Sequence, residues 1–243
     1  MRLIAASVVT ALVLPPLPSP QIQKESVPFV GCPTSVQGDS SDGPHGAPVV
    51  VELDHATAQQ LAFYKGDVGH GAFAPRGWHC GAWAGSATST LLVLPGRIGL
   101  QSGERTLGPK VEVVTYDGET SGRVGVAIYA SQLFPRIAAA LIESEKNESL
   151  LTSEDFARGR SGSDSVWYGD SLTADFITPA HKTGLGAPDT PSPDTTRGVV
   201  ILYTSGDLFS GLSILRVRLG SNRPQLTLAV LRLNAACIKH YPC

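Results

Sequence analysis

The sequence predicts an α+β fold: a single domain with a mostly antiparallel sheet, two or three helices and stabilising disulfides. Three observations lead there. Short β-rich runs recur along the chain, separated by turns drawn from 26 Gly and 18 Pro. A few other segments carry apolar residues at helical spacing. Four cysteines form an even set in a chain of 243 residues.

Composition narrows the class. The hydrophobic share of 42% is ordinary, while the charged share of 16% falls below the roughly 25% usual for soluble domains. A disordered, highly charged chain and a coiled coil are excluded. With 19 Lys and Arg against 21 Asp and Glu, no basic excess exists to neutralise phosphates, so nucleic acid is not an expected partner. No uninterrupted apolar run reaches the roughly 18–20 residues that cross a bilayer, so no transmembrane segment is expected in the mature chain.

The chain opens with Met1-Arg2, an apolar run over residues 3–14 and the helix-breaking Pro15-Pro16-Leu17-Pro18. A basic start, a short apolar segment and a breaker are the parts of a secretory signal. Residues 1–24 are therefore expected to be a signal peptide, cut somewhere between Ala11 and Lys24. Residues 25–243 follow as one globular domain, secreted or periplasmic. Gly31-Cys32 is not a lipobox, because the polar stretch 21–26 separates it from the apolar run.

The elements are then expected in this order. Residues 31–48 are an extended Gly/Pro/Ser/Asp loop, and residues 49–53 a short strand. Asp54 offers an N-cap to a helix over residues 55–65, stopped by Gly66. A Gly-rich segment runs to Ser89, residues 90–94 form a strand, and residues 100–110 a turn or loop. Residues 111–116 and 123–130 read as two strands around Asp117-Gly118, a hairpin hint. Ser131 is the expected N-cap of a helix with Pro135 in its first turn and an apolar stripe of Ile137, Ala138, Leu141 and Ile142. A second short helix begins at Thr152 and breaks at Gly159. Four strands close the chain, over residues 172–178, 198–204, 212–219 and 225–233. In the third, Arg216 and Arg218 alternate with apolar residues, as for a strand with one wet face. Residues 179–197 form a 19-residue stretch without periodicity, a length at which loops are functional or mobile.

In an exported chain Cys32, Cys80, Cys237 and Cys243 read as two disulfides, for which three pairings exist. The pairing taken is Cys32–Cys80 with Cys237–Cys243, since the last two are close enough to close a short terminal loop. The first bridge would contribute on the order of 3–4 kcal/mol in the chain-entropy model.

Three segments carry a resemblance: Pro75-Arg76-Gly77-Trp78-His79-Cys80, Thr120-Ser121-Gly122-Arg123, and Thr178-Pro179-Ala180 with Gly184-Leu185-Gly186. There the chain resembles a group of uncharacterised exported bacterial proteins, over about residues 30–220. The resemblance implies export, a bacterial source and the Cys32–Cys80 pair. It implies no function, and Cys237 and Cys243 fall outside it.

Chemistry-bearing motifs are sparse. There is no G-x-S-x-G elbow, no S-x-x-K, no C-x-x-C and no H-x-x-x-H, so neither a cofactor nor a metal is expected. Ser86 or Ser121 with His79 or His181 could be assembled on paper as a hydrolase site. Glu52, Glu112, Asp117 and Glu119 read as surface carboxylates. The leading expectation is a non-catalytic binding module with an unknown ligand. Its groove would be cationic and aromatic-walled, built from Arg76, Trp78 and His79 on one loop, Arg123 after another, and His181 and Lys182 on a third, to receive a carboxylate or an acidic glycan. The plainer alternatives are a Trp78 packed on the disulfide, an Arg123 paired to a local acid, and ordinary loop histidines. The other function classes kept open are a secreted hydrolase and an envelope structural or interaction protein.

Overall fold

The computed structural model describes residues 21–98, 107–137, 139–147, 162–205 and 208–240. Strands dominate. Fourteen of them, β1 to β14, and four helices, α1 to α4, are ordered along the described residues. The expected signal segment falls mostly outside the described residues. Its last residues do not: β1 (Ile22–Val27) pairs antiparallel with β5 (Val49–Asp54), Lys24 opposite Glu52.

The main sheet has nine strands in the order β11-β12-β13-β14-β10-β9-β8-β3-β4. Its centre is β8 (His79–Ala84), β9 (Thr88–Leu94), β10 (Lys110–Asp117), β14 (Leu208–Arg218) and β13 (Thr196–Ser205). β12 (Thr173–Thr178) and β11 (Ser165–Asp170) extend it on one side, β3 (Thr34–Val36) and β4 (Asp39–Ser41) on the other. The pairing is mixed rather than wholly antiparallel, because β3 runs parallel to β8. A three-stranded sheet, β2 (Phe29–Gly31), β6 (Leu61–Lys65) and β7 (Ala72–Pro75), also contains a parallel pair, β2 with β6. The α+β expectation therefore holds only loosely.

The central strands are buried on both faces, and their apolar stretches, such as residues 199–202, run unbroken across both. Val199 and Ile201 of β13 join Leu215 and Val217 of β14 in one core, which α4 (Pro224–Lys239) and the small sheet cover. Val200, Leu202, Leu212 and Ile214 point the other way, into a second core under α2 (Arg123–Leu133). Arg216 and Arg218 lie on this second face, but it is not wet: both are buried, at 5% and 2% exposure, and Glu112 opposite Arg216 is half-buried.

Four element expectations are corrected. The helix from residue 55 is capped by Asp54, whose Oδ1 accepts from Thr57 N at 3.0 Å, but α1 ends at Ala58. Leu61, Ala62, Phe63 and Tyr64 are all buried, which suits a strand enclosed on both faces rather than a one-sided helix. Residues 123–130 are helical, in α2, so Asp117-Gly118 makes no hairpin; Val126, Ala127, Ala130 and Leu133 bury at helical spacing. Ser131 lies inside α2 rather than capping a helix, and Pro135 sits in the turn before α3 (Ala139–Asn147). Residues 225–233 form part of α4, with Pro224 at its start and Leu226, Val230, Asn234 and Ile238 buried every fourth residue. The helix expected from Thr152 lies outside the described residues.

The Cys32–Cys80 disulfide is present, with Cα atoms 5.3 Å apart. It ties the β2–β3 junction to β8 within the first core. Gly43 packs beside it in the left-handed region, at φ 89°, where an added Cβ would collide with the Cys32 carbonyl. Cys237 is disulfide-bonded, while Cys243 lies outside the described residues.

Candidate functional site

The six residues expected to form a groove do not converge. Arg76 is exposed on the turn after β7, its Nε donating to the Leu61 carbonyl at 3.2 Å. Trp78 is half-buried against the first core, and its backbone N donates to the Tyr64 hydroxyl at 3.1 Å. His79 starts β8 opposite Leu94, whereas Arg123 follows the far end of β10, where Tyr116 pairs with Thr88. Six residues of β9 separate these ends, about 20 Å at strand rise. His181 and Lys182 are exposed in the segment after β12. They share His79's end of the sheet but sit five strand steps away, about 24 Å. Ser86 and Ser121 do meet, Oγ to Oγ at 3.4 Å, but on the end of the sheet away from His79.

A different set of residues converges at that same Arg123 end. A cavity of about 780 Å3 opens there, within the roughly 300–1,000 Å3 of small-molecule sites. Six separate segments build it: the β6–β7 connection with Gly69 and His70, the end of β10, the β11–β12 turn, the second half of β13, Gly211 of β14, and Lys239 at the end of α4. Its floor is aliphatic, from Ile201, Leu202 and Leu172.

Polar groups stand at fixed places around that floor. His70 Nε2 lies 3.1 Å from the Tyr203 hydroxyl, with the two rings stacked at 5.9 Å between centroids. His70 is 6% exposed, and burial, helped by the Lys65 charge, pushes its pKa down to about 4. It is neutral at neutral pH. Burial raises the Tyr203 and Tyr116 hydroxyls well above their usual range, so both stay protonated and able to donate. Thr115 Oγ1 and Ser213 Oγ are 2.9 Å apart. At the mouth, Lys239 Nζ meets Asp170 Oδ2 at 2.9 Å, and hydrogen bonding to Lys239 lowers the Asp170 carboxyl. The charged pair neutralises itself. Inside an exposed rim that also carries Asp117, the cavity thus offers hydroxyls, a neutral imidazole and an apolar floor, a chemistry suited to an uncharged molecule.

The sequence pointed to none of these residues. His70 and Tyr203 are 133 positions apart, and neither sits in a motif. The retrievable signal was compositional: a histidine in the tight Gly69-His70-Gly71 step, a place where glycines let another element approach.

Among the described residues no group of three or more His, Cys, Asp and Glu gathers as a metal site would require, and no helix is long and apolar enough to cross a membrane. Comparison with protein-family models, with curated proteins and with solved structures finds no match.

Proposed function

We propose that this protein is an exported bacterial binding module without catalytic activity, which holds a small, uncharged, hydroxyl- or carbonyl-bearing molecule in the cavity between His70, Tyr203 and the β11–β12 turn. The single observation that carries the reading is the convergence of six chain segments on one cavity whose inner hydrogen-bonding groups are neutral, with Lys239 and Asp170 paired at its mouth and Asp117 on its exposed rim. A Cys32–Cys80 disulfide supports an oxidising compartment. So do the basic start and apolar run at the N-terminus. Processing before Ile22 leaves β1 whole.

Two experiments test it. Intact mass of the chain from secreted and envelope fractions, alkylated with and without reduction, should show a trimmed N-terminus and no free thiol. A full-length chain with free thiols contradicts export. For the cavity, the neutral fluorophore N-phenyl-1-naphthylamine should bind the purified chain, and Thr204→Trp, at an exposed rim position, should weaken it at least tenfold by filling the mouth. Equal binding by the two proteins contradicts the seat.

A further inference from the structure

Beside the mouth of the large cavity, on β11, the outermost strand of the main sheet, the Trp167 side chain is 47% exposed. Ladder pairing sets Trp167 opposite Asp175, which in turn stands opposite Val199 of the first core. Trp167 and Asp175 therefore lie on the face that α4 covers, the same face from which Thr173, Ile201 and Tyr203 line the cavity. Tyr168 turns to the other face, where its ring meets Phe134 of the second core.

We propose that the molecule held in the cavity is a neutral glycoside, its apolar aglycone on the aliphatic floor and its sugar ring outside the mouth, stacked on Trp167. The proposal rests on the cavity being a binding site. Continuity is the first argument. Thr173 lines the cavity and is the diagonal neighbour of Trp167 across the β11–β12 ladder, a spacing of about 7–8 Å. The register slips between Tyr168 and Asp170, and such a bulge re-aims a side chain. Here it leaves Asp170 in contact with Lys239, and the charge of Lys239 also acts on Asp175. Cavity mouth, ion pair, Asp175 and indole thus form one unbroken surface.

Chemistry is the second argument. A pyranose has a face of C–H groups and a rim of hydroxyls. The exposed indole gives the C–H face an apolar, electron-rich partner. Asp175 is half-buried, and among the described residues no hydrogen bond reaches its carboxylate. Burial and the neighbouring Asp170 raise its pKa, so its anion gains from any added donor. Sugar hydroxyls supply donors without adding charge, and hydrogen bonds to a carboxylate are the stronger kind. Lys239 and Asp170 offer a donor and an acceptor to the remaining hydroxyls. Inside the mouth, Ile201, Leu202 and Leu172 present only aliphatic surface. A site divided in this way matches a molecule divided in the same way.

The test is isothermal titration of the full chain with the hexyl glycosides of glucose, galactose and mannose, alongside 1-hexanol. At least one glycoside should saturate a single site at least tenfold more tightly than 1-hexanol. Trp167→Ala should bring that glycoside down to the hexanol level, and Trp167→Phe should recover most of the difference. Asp175→Asn should weaken it severalfold. The proposal is overturned if no glycoside binds more tightly than 1-hexanol. It is equally overturned if Trp167→Ala, folded by its far-UV spectrum, keeps the wild-type glycoside affinity. In either case N-phenyl-1-naphthylamine bound by the wild type leaves the cavity itself standing as a site. A wild-type chain that takes neither that fluorophore nor any glycoside overturns both.

Discussion

The Tyr203 hydroxyl and His70 Nε2 stand 3.1 Å apart, joining the middle of the main sheet to the β6–β7 connection at the inner end of the large cavity. The contact requires a neutral imidazole only in the sense that burial imposes one: the folded protein holds His70 near pH 4, the unfolded chain near 6.5. Between those values the unfolded state binds the extra proton. Stability should therefore be complete above about pH 6.5, fall as pH drops toward 4, and level off below. The loss is on the order of 3 kcal/mol for a group this buried. Urea midpoints across that range check it, and His70→Gln, which keeps a polar partner for Tyr203, should flatten the decline.

A second acid transition follows at lower pH. Burial would raise the Glu112 carboxyl, but Arg216 and Lys110 outweigh it and hold the group at about 2. A carboxyl lowered on folding stabilises above its unfolded value and loses that contribution as pH falls from about 4.5 toward 2. Glu112→Gln should cost about 3–5 kcal/mol at pH 7, because it leaves buried cations without their shared carboxylate. The same variant should remove the low-pH part of the acid limb.

Asn234 fastens α4 to the small sheet. Its Oδ1 accepts from Phe73 N at 2.6 Å and its Nδ2 donates to Phe73 O at 2.9 Å, so one side chain completes the open edge of β7. The residue is 0% exposed. Asn234→Leu keeps the branched shape, adds volume at a fully buried position and strands two buried backbone groups, a loss of about 2–4 kcal/mol in denaturant unfolding.

Reduction gives a fourth expectation. The Cys32–Cys80 bridge closes a 48-residue separation, and removing it by Cys32→Ala with Cys80→Ala should lower stability by about 3–4 kcal/mol. Calorimetry on the variant, with the wild type as reference, measures it.

What the sequence made legible was the centre of the sheet. The runs at 90–94, 111–116, 172–178, 198–204 and 212–219 are β9, β10, β12, β13 and β14, whose burial requires apolar residues on at least one face of each. The same reasoning misassigned 123–130 and 225–233, where Val, Ile and Leu fill helices lying on that sheet. There the deciding pattern is burial every third or fourth residue, as in Leu226, Val230, Asn234 and Ile238. The short strands β2, β3, β7 and β8 escaped because they are cut from Gly- and Pro-rich segments and held by long-range pairing. Arg216 and Arg218 misled for a related reason. Alternation reports that a strand has two different faces, but not that Leu185 and its neighbours cover the charged one. The six groove residues were each placed by local composition, whereas convergence depends on which sheet ends they reach.

The most direct test of the central claim is to map where a neutral ligand sits. Backbone amide shifts of the isotope-labelled chain, recorded as N-phenyl-1-naphthylamine is added, should move at Gly69, His70, Leu172, Tyr203 and Thr204, the residues around the cavity. Tyr203→Phe should reduce the effect without displacing it. Shifts gathered elsewhere, or none at saturating probe, would contradict the account.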